Sequence, residues 1–314
     1  MIDTSAVGFG QAANQQLAAL LRTAKSQDVF APVCVIVPSN YVAVTLRRDL
    51  AKGDYGPTSA IGSGLVATNF LTSYRLAETI FGNSFLNQGK QPVRSVVFSA
   101  AIRQALSEDP GIFRPISHHG ATERGLLEAY RELRDLQDTE LDNLASMGER
   151  SSEIVRIYNA AYQLLSNDWF DEFDLFRSPN LSDKEVADKG KLVLFLPQQL
   201  ANTEMQFLER LSKVSAISAL IGVTGVTEAD RDAHRFANYF DKQLSLPDPK
   251  STSSATIISV SDADDEVRTT LRSVVGLLDQ GVRADQIAIL YPHQHPYARP
   301  VSYTHLTLPT KRIV

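Results

Sequence analysis

The sequence holds one cysteine in 314 residues, so no internal disulfide can form and a core must come from packing alone. A lone cysteine also fits a reducing cytoplasm. Cys34 lies inside an apolar run without an electropositive neighbour in sequence, which reads as a small core residue and not a reactive thiol. No apolar stretch approaches the ~20 residues of a membrane helix. Met1-Ile2-Asp3-Thr4 has no basic region followed by an apolar core, so no secretory signal is visible and a cytoplasmic location is expected. Positive charge is not in excess: 31 Lys and Arg face 36 Asp and Glu, a formal net charge of −5. A nucleic-acid binder usually carries the opposite sign, so any DNA contact must come from a local patch or a partner chain. Gly-x-Ser-x-Gly, His-Glu-x-x-His and Cys-x-x-Cys are all missing.

What is there is an ordinary globular balance, 43% hydrophobic and 21% charged, with length for about two domains. Three short apolar runs read as strands buried on both faces: Val33–Val37, Leu192–Leu196 and Ile217–Val223, each bounded by Pro or Gly. A helix is expected over Gln11–Ala24, with Leu17, Leu20 and Leu21 on one face, and another over Tyr41–Leu50. Gly53–Gly64 is a loop by composition. A short strand Leu65–Thr68 leads into a helical pattern over Phe70–Ala77. This alternation predicts a parallel sheet with covering helices. From about Val93 to Leu165 the pattern is helical throughout, near Ser95–Leu106, Ala121–Gln137 and Ser152–Leu165, with a short helix beginning around Thr139. The α/β pattern then resumes, with a helix near Thr203–Val214.

The domain expectation follows: residues 1–80 and 188–245 form the α/β domain, 81–187 a helical insertion, 246–254 a linker, and 255–300 the start of a second α/β domain. In that last segment Thr256–Val260, Asp264–Leu278 and Ile287–Leu290 read as strand, helix and strand. Residues 301–314 resemble a translated sequencing-adapter tail and are excluded from fold reasoning, which makes the chain an expected N-terminal fragment.

The outline is that of a phosphate-loop ATPase without its charged residues. Such an enzyme needs a Gly-rich cradle ending in Gly-Lys-Ser/Thr and an acid that holds magnesium after a strand. Gly8-Phe9-Gly10 precedes a helix but shows no upstream strand of any length, no third glycine and no Lys-Ser/Thr, so it reads as a plain turn. The acid's place falls on the uncharged Pro197-Gln198-Gln199.

Other polar clusters have bland readings. His118-His119 precedes Gly120 in a loop, and adjacent histidines usually point apart, without a third ligand nearby. His293 and His295 have alternate spacing and could touch one metal. In Asp168-Trp169-Phe170-Asp171-Glu172-Phe173-Asp174-Leu175 the acids could bind magnesium, but a helix start capped by Asp168 or Asp171 with rings packed inward is the simpler reading. Asp262, Asp264 and Asp265 suit the positive end of a helix dipole, which is the first reading; a metal site is the second. Thr224-Gly225 with Glu228 and Asp230 could form a polar site at a strand's carboxyl end.

Taken together, several segments carry a resemblance. Ala31–Asn40 with Leu46-Arg47-Arg48-Asp49-Leu50, Gly64–Ala77, Phe170–Leu175, Leu194–Pro197 with Ile221–Gly225, and Asp265–Arg268 with Gly281–Tyr291 are similar, in order and spacing, to AddB-like proteins. These are the B subunits of bacterial ATP-dependent helicase–nuclease complexes of the PD-(D/E)xK nuclease class. The resemblance covers most of residues 1–300. It implies a RecA-like (P-loop NTPase-like) parallel sheet with helices on both faces, interrupted by a helical insertion, followed by the start of a second RecA-like domain. It implies an AddA-like motor subunit and DNA as partners, and a role in recombinational repair. Full-length relatives use Mg2+ in a nuclease domain and sometimes an iron–sulfur cluster; neither is expected in this fragment, and no catalytic or nucleotide-binding residue carries over. The nearest candidates for DNA contact are Arg47, Arg48 and Arg75, which read equally well as solvated helix faces. Two other readings stay open: an α/β interaction or regulatory module without a nucleic-acid role, and a small-molecule enzyme using the sheet edge near Thr224.

Overall fold

The structure, a computed structural model, describes residues 1–179, 181, 183–245, 256–292 and 297. The linker expected at 246–254, His293, His295 and the tail 301–314 lie outside the described residues. The chain divides into two compact units, residues 1–250 and 251–314.

In the first unit the strands are β1 (Ile2–Gly8), β2 (Val33–Ile36), β3 (Thr68–Leu71), β4 (Gln91–Pro92), β5 (Trp169–Phe170), β6 (Lys191–Phe195) and β7 (Ile217–Val223). Strands β4 and β5 pair only with each other. The remaining five form one sheet in the order β1-β7-β6-β2-β3, every pair parallel. Side chains alternate across it, as the pleat requires. Val33, Val35, Val193 and Phe195 point to one face, where they meet α1 (Gln11–Ala24) and α2 (Asn40–Lys52). Cys34, Ile36, Leu192 and Leu194 point to the other. There they meet α3 (Ser73–Asn87), α8 (Glu172–Arg177), α10 (Asn202–Val214) and α11 (Arg231–Tyr239). Burial pushes the Cys34 thiol up to about 12, in keeping with a core side chain.

A separate apolar core joins α4 (Ser95–Glu108), α5 (Gly120–Leu133), α6 (Asp138–Ser146) and α7 (Glu149–Ser166). Its centre is Tyr130, which contacts both Phe98 and Tyr158. The segment 81–187 is not all of one kind, because the rest of α3 and the short helices α8 and α9 (Asp183–Ala187) return Leu175, Phe176 and Val186 to the sheet's core.

Four local expectations need correction. Gly8 does follow a strand. Ile2 is buried while Asp3 is exposed and the rest of β1 is half-buried, so this edge strand carries no continuous apolar run to announce it. The strand expected at Leu65–Thr68 is β3, three residues later, and the helix expected from Phe70 begins at Ser73. Phe70 and Leu71 are drawn into the sheet beside Val35 and Ile36, and Thr72 caps α3 by accepting from the Arg75 N–H at 3.3 Å. The turn at 134–137 ends α5 before the expected Gln137, because Gln137 and Glu140 form a capping box that starts α6. In the second unit α12 (Ala263–Asp279) forms, capped by Asp262 through the Asp265 N–H at 2.9 Å. The flanking segments 256–260 and 287–290 are not strands. Ile257 and Leu290 stand almost wholly exposed there, and among the described residues no strand lies beside them for pairing.

Entry into β6 depends on Gly190, whose φ is +69°. A Cβ there would lie 1.9 Å from the Pro32 carbonyl oxygen. That oxygen accepts the Lys191 N–H at 3.1 Å and begins the β2–β6 pairing. Gly190→Ala meets both a left-handed backbone and a backbone clash, and is expected to cost at least ~2 kcal/mol of unfolding free energy in urea titrations.

Candidate ligand cleft at the carboxyl edge of the sheet

All five sheet strands end at the same edge, so the segments after β1, β2, β3, β6 and β7 converge there. Between β2 and β6 the chain changes direction: β2 continues outward to β3, whereas β6 continues the opposite way to β7. Such a reversal splays the two following loops apart and leaves a crevice, the usual ligand position in an open parallel sheet. Here it is a cleft of about 540 Å³ whose walls include Phe9, Pro38, Thr72, Tyr74, Glu172, Pro197, Gln198 and Glu204.

Gly8-Phe9-Gly10 thus stands where a phosphate loop would, between β1 and α1. Gly10, with φ +79°, is the N-cap of α1. The Phe9 ring folds over Gly222 of β7, so closely that a Cβ on Gly222 would come within 2.4 Å of it. The opposite wall, Pro197-Gln198-Gln199, follows Leu196 in a left-handed backbone conformation (φ +48°) and carries no carboxylate.

Charge in the cleft has one sign. Glu172, Glu204, Asp230 and Asp232 line it, and among the described residues no Lys, Arg or His does. Asp230 is the committed one, 2% exposed. It accepts from the Thr224 N–H at 2.8 Å, the Thr224 hydroxyl at 2.9 Å and the Gly225 N–H at 2.9 Å. Burial opposes its ionisation, but those hydrogen bonds more than offset that and hold the carboxyl below its ordinary value. Asp230 therefore closes the β7–α11 loop, and Glu228 stands exposed outside the cleft. Glu204, in the first turn of α10, is pushed up by burial. Hydrogen bonds from Ser73 and the Ala201 backbone oppose this, and the charges of Glu172 and Asp135 add to it. Glu172 moves in the same direction through burial and the Asp171 charge, against Arg131, and its side chain is open to solvent.

The acidic-aromatic segment proves to be a joint between insertion and sheet. Asp171 caps α8, accepting from the Asp174 N–H at 3.0 Å, while Asp174 accepts from the Asp171 N–H at 2.9 Å. The buried Arg134, from the end of α5, donates to both Asp171 oxygens at 2.8 and 2.9 Å and to Asp174 at 2.7 Å. These acids answer a guanidinium, which accounts for their density without a metal. The next residue, Asp135, reaches α10. That helix has Ala201 at its N-cap, and Asp135 supplies the missing acceptor to the Asn202 N–H, the Thr203 N–H and the Thr203 hydroxyl, each at 2.8 Å. Asp135→Ala should lower stability by about 1–2 kcal/mol, as for loss of a helix cap, read from the denaturant midpoint.

No family model and no curated protein matches the chain. The cleft must therefore be read from its own chemistry.

The three arginines singled out in sequence are not gathered at one place. Arg47 and Arg48 are exposed on α2, on one face of the sheet, and Arg48 pairs with Asp49 at 2.9 Å. Arg75 is exposed on α3, on the opposite face, and pairs with Glu78. His118 and His119 do not point apart; the turn before α5 sets their rings side by side, centroids 4.5 Å apart and solvent-exposed. Among the described residues no three metal-ligating side chains converge. The sequence reading passed over Phe9, Tyr74 and Glu204 as cleft residues; the usable signal for Glu204 was its place one turn past Gln198-Gln199 at a helix start.

Proposed function

We propose that this chain is the helicase-like part of an AddB-like subunit, a cytoplasmic scaffold that guides single-stranded DNA beside an AddA-like motor during double-strand-break processing. In this reading the first unit is a RecA-like domain that has lost its motor chemistry and keeps no resident cofactor. The order and spacing of the matched segments support it, as does a parallel sheet with its crevice at the switch point. The observation that carries the non-motor part is the sign of the cleft. A nucleoside triphosphate needs cationic groups and a magnesium ligand around its phosphates. Among the described residues this cleft offers Glu172, Glu204 and Asp232 and no basic side chain, so a polyanion meets repulsion.

The test is an ATPase assay on the full chain with single-stranded DNA. The expected result is turnover no greater than the protein-free blank, together with DNA affinity that falls steeply with salt through counterion release. Arg47→Ala, Arg48→Ala and Arg75→Ala should each weaken binding about equally for all sequences, since phosphate contacts carry no sequence information. DNA-stimulated hydrolysis sinks the non-motor reading. A complete lack of DNA affinity favours the second one, an interaction or regulatory module, which the net charge of −5 already suits.

A further inference from the structure

We propose that the cleft between β2 and β6 receives an organic cation: a guanidinium or alkylammonium group on an apolar stem. This goes beyond the scaffold reading and does not depend on DNA binding. Three features of the cleft select that chemistry.

The first is size. About 540 Å³ lies within the range of small-molecule sites, and far exceeds what a water or a bare ion fills. The second is charge. Once Asp230 is set aside as a loop closure, Glu172, Glu204 and Asp232 remain as carboxylates facing the space. The cations beside the cleft stand outside its lining: Arg75 and Arg134 are paired with Glu78, Asp171 and Asp174, whereas Arg131 acts on Glu172 itself and offsets part of its charge. Arg235 donates to the Asn202 side-chain oxygen at 2.7 Å. Glu204 is half-buried in the cleft wall, and hydrogen bonds from Ser73 and the Ala201 backbone satisfy it only in part; no counter-charge is among them, so an entering cation would favour its charged form. The acids are spread along the cleft, and among the described residues no three ligating side chains meet at one point, so the arrangement suits a delocalised or elongated cation better than a metal ion.

The third is the aromatic wall. Tyr74 already carries the Arg75 guanidinium 5.4 Å from its ring centroid, and Phe173 carries that of Arg134 at 5.6 Å. Phe176 and Phe195 in the wall are buried, but Phe9 is 51% exposed, is fixed against Gly222 and, among the described residues, has no cation over its ring. A planar guanidinium can stack on such a ring while its in-plane donors reach separated carboxylates, which an ammonium does less well.

The experiment is calorimetric titration of the full chain with agmatine and, separately, with the end-blocked tripeptide Gly-Arg-Gly. Binding of agmatine alone identifies a free small cation as the source. Binding of the tripeptide, with or without agmatine, identifies an arginine side chain of a partner or of another chain. In either case Glu204→Gln and Glu172→Gln should each weaken binding at least fivefold, and Phe9→Ala about threefold. Glu172 is solvent-open, so E172Q keeps the test valid if E204Q does not fold. The proposal is overturned if neither probe binds, if both carboxamide variants bind as the wild type does, or if inorganic triphosphate binds in place of the cations. A failed DNA-binding assay leaves it untouched, so the two readings fail separately.

Discussion

Arg134→Met should lower the unfolding free energy by about 3–5 kcal/mol, the usual cost of deleting one partner from a buried ion pair. Its side chain is 3% exposed, and it holds Asp171 through two parallel hydrogen bonds and Asp174 through a third. It also lies 4.7 Å from the Tyr162 ring centroid, so one guanidinium joins α5, α7 and α8. Removing it leaves two neighbouring carboxylates with only each other and the α8 N-terminus. Arg134→Lys should recover little, because an ammonium cannot form the bidentate fork. Burial opposes ionisation of Asp171, but the hydrogen bonds and charge of Arg134 more than offset it and hold the carboxyl below its ordinary 3.8. Burial and the neighbouring Asp171 charge push the Asp174 carboxyl up, against Arg134, so the acid-side loss is assigned to Asp171, which holds the two-bond fork. A depressed carboxyl contributes stability above its unfolded pKa and loses it as pH falls through the folded one. The wild type should therefore lose this contribution below about pH 4, and Arg134→Met should show a smaller acid-induced loss there, measured by guanidinium titrations at stepped pH. An unchanged midpoint in Arg134→Met would mean that the joint contributes nothing.

The sequence disclosed most of the sheet because β2, β6 and β7 are covered on both faces and so must be apolar at every position. Helices with a single buried stripe, such as α1 with Leu17 and Leu21, were equally legible. Strand β1 was not, since a half-buried edge strand admits Asp3, Thr4 and Ser5. Nor were the segments around Ile257 and Leu290 well served by local pattern, since strand formation depends on neighbours that a linear pattern does not encode. The cleft was half visible. That Gly8–Gly10 and Pro197–Gln199 carry neither a Lys-Ser/Thr phosphate cradle nor an acid can be read directly, because that chemistry demands particular residue types. What replaces it cannot, because Phe9, Tyr74, Glu172 and Glu204 come from separate segments that only the strand order brings together. Asp135 shows the same limit: a cap for α10 supplied from 67 residues upstream has no local signature.

Phe207→Ala is the second large expected loss, again about 3–5 kcal/mol, through a different mechanism. Phe207 lies on α10 with no solvent exposure, and its ring meets Phe81 edge-on at 6.1 Å between centroids and Phe176 at 5.5 Å. It thus pins α3 and α8 together over the sheet face that carries Ile36 and Leu194. Truncation removes ring contacts on both sides, and the surrounding helices, fixed by the Asp135 cap and the Arg134 joint, have little freedom to collapse into the space. Phe207→Leu keeps most of the volume and should cost roughly half as much. The two variants separate packing from the cleft. Phe176 is both the partner of Phe207 and part of the cleft wall, so a void behind it lets the wall move. Phe207→Ala should therefore weaken agmatine binding as well as stability, under conditions where the variant is still folded, while Phe207→Leu should bind nearly as the wild type does. Equal binding by all three proteins would show that the cleft's shape is set by the strand ends and their loops, and not by the aromatic layer beneath them.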